Sequence, residues 1–210
     1  MNTLKSYFLF DLDGTLSDPL QGIARSINYT LEAFGYPVVP EDSLGRFIGP
    51  PLDNTFVALT GTDSQDHVRE LVDKYRERFG KIGYRENILY PGIPGMLEAL
   101  KARGVAMAVC TSKRQDFARK IITMFGLDPF FDFVSGGDIG IAKGEQIRSL
   151  LEQGRISKDS IMIGDRDVDI RAASENGLDG WGVLWGYGSR EELEKEGPER
   201  ILTSPEQIAM

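Results

Sequence analysis

Asp11-Leu12-Asp13-Gly14-Thr15 follows directly on a short apolar run, Tyr7-Phe8-Leu9-Phe10. In extended chain, residues two apart point the same way, so Asp11 and Asp13 address one site. Two carboxylates that close repel unless a cation or a proton holds them. Hard oxygen ligands suit Mg²⁺, which also bridges to phosphate. Gly14 then permits a sharp exit from the run. Ile163-Gly164-Asp165-Arg166-Asp167-Val168-Asp169 follows another apolar run and brings more carboxylates. Thr111-Ser112-Lys113 ends a third, where hydroxyls and backbone N–H groups can hold phosphate oxygens. Lys143 opens a helical segment, and a helix N-terminus carrying a lysine is a natural anion site. Together with a bound cation, Lys143, Lys113 and Arg114 offset the carboxylate charge where an anion would sit.

These groups meet only if the elements before them end at one edge. Residues 7–10, 105–110 and 161–163 read as strands buried on both faces, with weaker candidates at Phe133-Val134 and Gly182-Val183-Leu184. Helical patterns over 94–103, 116–125 and 145–152 lie between them and stop at or near Gly104, Gly126 and Gly154. Strands alternating with helices of about three turns indicate parallel βαβ units. Polar residues at the C-terminal ends of such strands face the crevice where these sheets bind ligands. Residues 17–88 break the rhythm. Ile23, Ile27, Leu31 and Phe34 form one helical stripe, and Val68, Leu71, Val72, Tyr75 and Phe79 another. The expectation is an α/β, Rossmann-like, doubly wound parallel sheet over 1–16 and 89–210, with an all-helical insert over 17–88. Pro40 and Gly49-Pro50-Pro51 punctuate the insert, and Pro91-Gly92 marks the return to the sheet.

A net charge of −8 argues against a nucleic acid polymer as partner, since its phosphates want clustered Lys and Arg. Cys110 is the one cysteine and cannot close an internal disulfide, which suits a reducing compartment. Met1 to Lys5 lack the pattern of a signal peptide, and no run approaches ~20 apolar residues. A cytoplasmic protein without a membrane partner, monomer or homodimer, is the expectation.

Asp11 to Thr15, Thr111, Lys143, and Gly164-Asp165 with Asp169, in this order, resemble the four motifs of the haloacid dehalogenase superfamily of phosphohydrolases. The likeness covers essentially the whole chain, because the helical insert resembles the cap that follows the first motif in that family. The resemblance implies that Asp11 attacks phosphorus and becomes a covalent aspartyl-phosphate. It implies that Asp13 protonates the leaving alkoxide and then deprotonates water. It implies Mg²⁺ held by Asp11, Asp165 and the backbone carbonyl of Asp13. Thr111 and Lys143 would hold the phosphoryl oxygens, with Gly14, Thr15, Ser112 and Lys113 as further phosphate contacts. Asp169 would orient Lys143 or the metal shell. Asp13 favours phosphate-ester chemistry over carbon–halogen cleavage. Leu12 stands where the family's ATP-driven pumps carry lysine.

The cap is expected to choose the leaving group. Arg46-Phe47-Ile48-Gly49-Pro50-Pro51-Leu52 resembles a segment that faces the active site in phosphoglycolate phosphatases and related nucleotidases, and Arg46 would meet a substrate carboxylate or second phosphate. Lys143-Gly144-Glu145 and Arg114 depart from the phosphoglycolate phosphatase pattern. With Leu184 to Ser189 they look more like the branch that includes bacterial 5′-nucleotidases. The expected substrate is a small phosphorylated metabolite, a nucleoside monophosphate ahead of phosphoglycolate.

Other readings compete with each residue. Either acidic cluster alone is a turn of solvated carboxylates, and neither makes a calcium loop, because Ile170 and Leu16 stand where that loop needs glycine. Arg166 and Asp167 read as solvated, Cys110 as a small core hydrophobe, and His67 as solvent-facing. Trp181, Trp185 and Tyr187 read as packing groups rather than a base-stacking platform. A phosphorelay receiver pairs the same residue types around Mg²⁺. There the acceptor lies on a later, central strand, with no acid two residues on and no long helical insert.

Overall fold

The computed structural model describes residues 5–137 and 141–210. Met1 to Leu4, most of the segment read above for a leader, lie outside it. The sheet is six-stranded and parallel, in the order β5-β4-β1-β6-β7-β8. Its strands are β1 (Phe8–Phe10), β4 (Met107–Arg114), β5 (Val134–Gly137), β6 (Ile161–Gly164), β7 (Asp179–Val183) and β8 (Arg200–Leu202). A separate pair, β2 (Ser17–Asp18) and β3 (Ile88–Leu89), forms where the chain leaves the sheet and returns to it. The chain divides into two compact units, Met1–Asp18 with Leu89–Met210, and Pro19–Ile88. Ser17 and Asp18, placed in the insert by the sequence reading, form β2 and cluster with the sheet unit.

In the sheet unit, β1 is central for a reason legible in its residues. Leu9 and Phe10 are fully buried, one on each face. On one face Leu9 joins Tyr7, Ala108, Cys110, Met162, Ile147, Leu150 and Ala173 in a single apolar cluster. Ile147 and Leu150 come from α6 (Lys143–Glu152) and Ala173 from α7 (Asp167–Glu175). The register sets Phe10 beside Val109 and Ile163, so β1 and β6 end within a residue of each other while β4 runs on past both. The chain runs β1, β4, β5 to one side and β6, β7, β8 to the other, which makes this edge the switch point of the sheet. Helices α4 (Ile93–Ala102) and α5 (Gln115–Met124) connect the first set, and α8 (Arg190–Lys195) the last two strands. Among the described residues, no helix is long and apolar enough to cross a membrane.

Some elements differ from expectation. Strand β4 does not stop at Thr111 but runs on to Arg114, with a register shift between the two. It does so because Gly136 and Gly137 of β5 have no side chains. A Cβ there would lie 2.3 Å from the Gln115 Cα and 2.5 Å from the Ser112 carbonyl. Strand β7 ends one residue before Leu184. Strand β8 and helix α8 carry no strong apolar pattern and were not expected.

The inserted unit comprises α1 (Leu20–Ala33), α2 (Leu52–Thr60) and α3 (Gln65–Lys81), with 3-10 turns at Glu41–Phe47 and Gly83–Glu86. Ile23, Ile27 and Leu31 of α1, and Val68, Leu71, Val72, Tyr75 and Phe79 of α3, are buried, as their spacing predicts. Phe34 is 37% exposed instead, because α1 ends at Ala33 and releases it from the stripe. Its ring meets His67 edge-on. His67 is half-buried rather than solvent-facing: its ring nitrogens lie 3.0 Å from the Tyr36 hydroxyl and 3.1 Å from Glu70. Charge also ties this unit together. Glu86 accepts two hydrogen bonds from Arg78, at 2.8 and 3.0 Å, and one from Arg25 at 3.0 Å.

Candidate active site

Three strand ends supply the site. Asp11 follows β1, Thr111 lies in β4, and Asp165 follows β6, while Lys143 is the first residue of α6. All four are buried. Carboxylate oxygens of Asp11, Asp165 and Asp169 lie within 4.8 Å of one another. Lys143 Nζ stands 3.0 Å from Asp11 Oδ2 and donates to Asp169 Oδ1. Asp169 Oδ2 also accepts the Arg166 N–H at 3.0 Å, which caps α7. Gly164 makes room for this carboxyl, since a Cβ there would lie 2.1 Å from the Asp169 Cγ.

The electrostatics follow from burial. Burial alone would lower the Lys143 pKa, but the Asp11 and Asp169 charges more than offset it and hold the ammonium charged. Burial, with the Asp169 and Asp11 charges, pushes the Asp165 carboxyl up to about 8. Asp165 has neutral partners only, the Thr15 hydroxyl at 3.2 Å and the Tyr187 N–H at 2.8 Å. Asp13 has a different partner: its Oδ2 lies 2.6 Å from Lys113 Nζ, and among the described residues its buried Oδ1 has no hydrogen-bond partner. Burial raises its pKa, and Lys113 opposes the rise. Three buried carboxylates and the partly buried Asp13 thus face two ammonium groups. That imbalance, with Asp165 lacking any cation, is the donor set that a hard divalent ion fits.

Other expected contacts have different neighbours. Thr15 is fully buried, and its hydroxyl donates to Asp165. Gly14, at φ 85°, donates its N–H to Ser17 at 2.8 Å. A Cβ at Gly14 would lie 2.2 Å from Asp165 Oδ2, so the glycine is the seat on which that carboxylate rests. Lys113 is paired with Asp13. Ser112 is exposed, and Thr111 Oγ1 accepts the Lys113 N–H at 3.2 Å. Arg46 belongs to the inserted unit, exposed at the end of a 3-10 turn, with its guanidinium 4.8 Å from the Phe47 ring centre.

Arg166 and Asp167 are not simply solvated. Arg166 Nε lies 2.6 Å from Glu192 of α8, and Asp167 pairs with Arg171 one turn on. Trp181 packs edge-on against Phe8 and carries Arg200 on its face, which is a packing role. Trp185 and Tyr187 are different: they touch the site. The Trp185 indole donates to the Thr15 carbonyl at 2.9 Å, and the Tyr187 hydroxyl donates to Asp18. The signal in the sequence was the alternation Trp185-Gly186-Tyr187-Gly188, in which bare backbone alternates with aromatic anchors.

The family model for haloacid dehalogenase-like hydrolases matches residues 8–183. The 5′-nucleotidase of Pseudomonas aeruginosa is 42% identical over 194 residues, covering 90% of this chain and 87% of its own length. The phosphoglycolate phosphatase of Aquifex aeolicus is 33% identical over 209 residues, covering 95% and 93%. Among solved structures, a predicted phosphatase from Clostridium acetobutylicum aligns with a TM-score of 0.90 at 37% identity, covering 99% of this chain and 97% of its own. Fold, strand-end carboxylates and relatives agree, and the chain belongs to the haloacid dehalogenase-like hydrolases, as a phosphatase of that family.

Proposed function

We propose that the protein hydrolyses a small phosphomonoester through an aspartyl-phosphate on Asp11, with a nucleoside monophosphate as the preferred substrate class. The observation that carries the mechanism is the buried Asp11 carboxylate, 3.0 Å from Lys143 in a cluster of three carboxylates at the switch-point edge. Asp11 attacks phosphorus as the ester P–O bond breaks, and the leaving alkoxide takes the proton of the Asp13 carboxyl. Burial raises the Asp13 pKa, the direction that suits a general acid. Water then attacks the phosphorus of the intermediate and gives its proton to Asp13. That frees Asp11 and restores the acid. Lys143 holds Asp11 in place and offers its charge to the transferring oxygens, a role the Thr111 hydroxyl at β4 would share. Asp11 and Asp165, with the Asp13 carbonyl, would hold Mg²⁺. When bound, it supplies positive charge that screens the carboxylates from an incoming phosphate.

The substrate preference draws support from the 42% identity to a 5′-nucleotidase, against 33% to a phosphoglycolate phosphatase. The test is phosphate release from nucleoside monophosphates, phosphoglycolate, sugar phosphates and an aryl phosphate, with Mg²⁺ and with chelator. Asp11→Asn should abolish release, and chelator should suppress it. Efficient turnover of phosphoglycolate with nucleotides ignored would reverse the substrate order. A stable phospho-form without turnover would point instead to a switch.

A further inference from the structure

The carboxylate of Asp165 is held mainly by chain far from it in sequence. The Tyr187 N–H donates to its Oδ2 at 2.8 Å, and the Thr15 hydroxyl to its Oδ1 at 3.2 Å. The segment that brings Tyr187 there has almost no freedom to be anything else. A Cβ at Gly186 would lie 2.3 Å from the Gly14 carbonyl and 2.4 Å from the Asp165 Cβ. A Cβ at Gly188 would lie 1.8 Å from the Asp165 carbonyl. Bare backbone is therefore laid directly against Asp165 and the Asp11–Thr15 loop. Glycines cannot fix their own position, so the two side chains between them must. Trp185 anchors one end through its indole N–H to the Thr15 carbonyl. Tyr187 anchors the other, with its hydroxyl on Asp18, the last residue before the insert. One tyrosine thus joins Asp165, through its main chain, to the linker strand β2, through its side chain.

We propose that Tyr187 is a positioning residue: its hydroxyl bond to Asp18 sets the Asp165 carboxylate for divalent-metal binding and couples that carboxylate to the linker. This rests on the reading of Asp165 as a metal ligand. Removing the phenol oxygen leaves the ring and the backbone N–H in place but frees the segment to shift. The loss then falls on the metal rather than on the phosphoryl-transfer groups.

The test is Mg²⁺ titration of the whole metal-free protein by calorimetry, with the Mg²⁺ dependence of kcat measured in parallel. Tyr187→Phe and Asp18→Ala should each weaken Mg²⁺ by about 10-fold, the lower range for a group that orients a metal ligand. At saturating Mg²⁺, kcat should recover most of the loss, and KM for the ester should move little. Asp18→Asn, which keeps the acceptor oxygen, should bind Mg²⁺ like the wild type. The double variant Tyr187→Phe/Asp18→Ala should be no worse than either single one, as one shared bond requires. Wild-type Mg²⁺ affinity in both single variants would overturn the proposal while leaving the metal reading intact. So would a kcat loss that saturating Mg²⁺ does not restore. Absence of Mg²⁺ binding in the wild type would overturn both.

Discussion

Lys143 is wedged between Asp11 and Asp169 with almost no access to water, so its replacement exposes what the pairing holds in check. Lys143→Met leaves two buried carboxylates without their cation. Such a loss costs about 3–5 kcal/mol, and denaturant unfolding should show it. Activity should fall in parallel by roughly 10²–10³-fold, as read by initial rates. The candidate positions of Asp11 and Asp165 were legible in the sequence because each directly follows a buried strand, and that of Lys143 because it opens a helix. The neighbours of Thr15, Lys113 and Tyr187 were not. Thr15 and Tyr187 lie outside regular elements and Lys113 in the irregular end of β4, where sequence does not say which neighbour a group will meet. Thr15 turned to Asp165 and Lys113 to Asp13 because those carboxylates were the unsatisfied charges within reach.

Elements differ in how they are held. The loop after β7 depends on contact too close for any side chain. Gly188→Ala would set a methyl against the Asp165 carbonyl, so melting temperature and Mg²⁺-dependent activity should fall together. The inserted helices depend on charge as well as on their apolar stripe. The hydrogen bonds from Arg78 hold the Glu86 carboxyl below its usual range; burial opposes them, and Arg25 adds to the lowering. A depressed carboxylate stabilises fully above its unfolded pKa, and that stability is lost as pH falls through the folded value. Glu86→Gln should therefore lower stability near pH 6 by about 1–3 kcal/mol. The gap to the wild type should close as pH drops below about 4.5. Urea denaturation followed by circular dichroism at several pH values would measure it. Strands β1, β4 and β6 and helices α1 and α3 were readable because their apolar spacing is unbroken. Strand β8 and helix α8 were not, because edge elements bury little and their sequences carry little pattern.

At the scale of the molecule, the site's excess of carboxylate over ammonium predicts that a divalent metal, bound there as proposed, would stabilise the fold. With free Mg²⁺ at 100 times its dissociation constant, a native-only ligand adds about 2.7 kcal/mol. Scanning calorimetry with and without chelator should show the rise, and Asp165→Ala should remove it. The fold was legible as a whole because each buried run ends in a chemical residue, so one pattern encodes both core and site. The division into two units was legible because the rhythm of strand and helix stops and restarts. Cys110 carries a separate consequence. Its thiol lies in the centre of β4, fully buried among Leu9, Ala108 and Met162, with its pKa pushed up to about 12 by burial. The inserted unit has no cysteine at all. Alkylation of this thiol must therefore wait for the sheet itself to open. The chain carries a built-in clock for opening of the sheet unit, and the labelling half-life can be read with each ligand in turn.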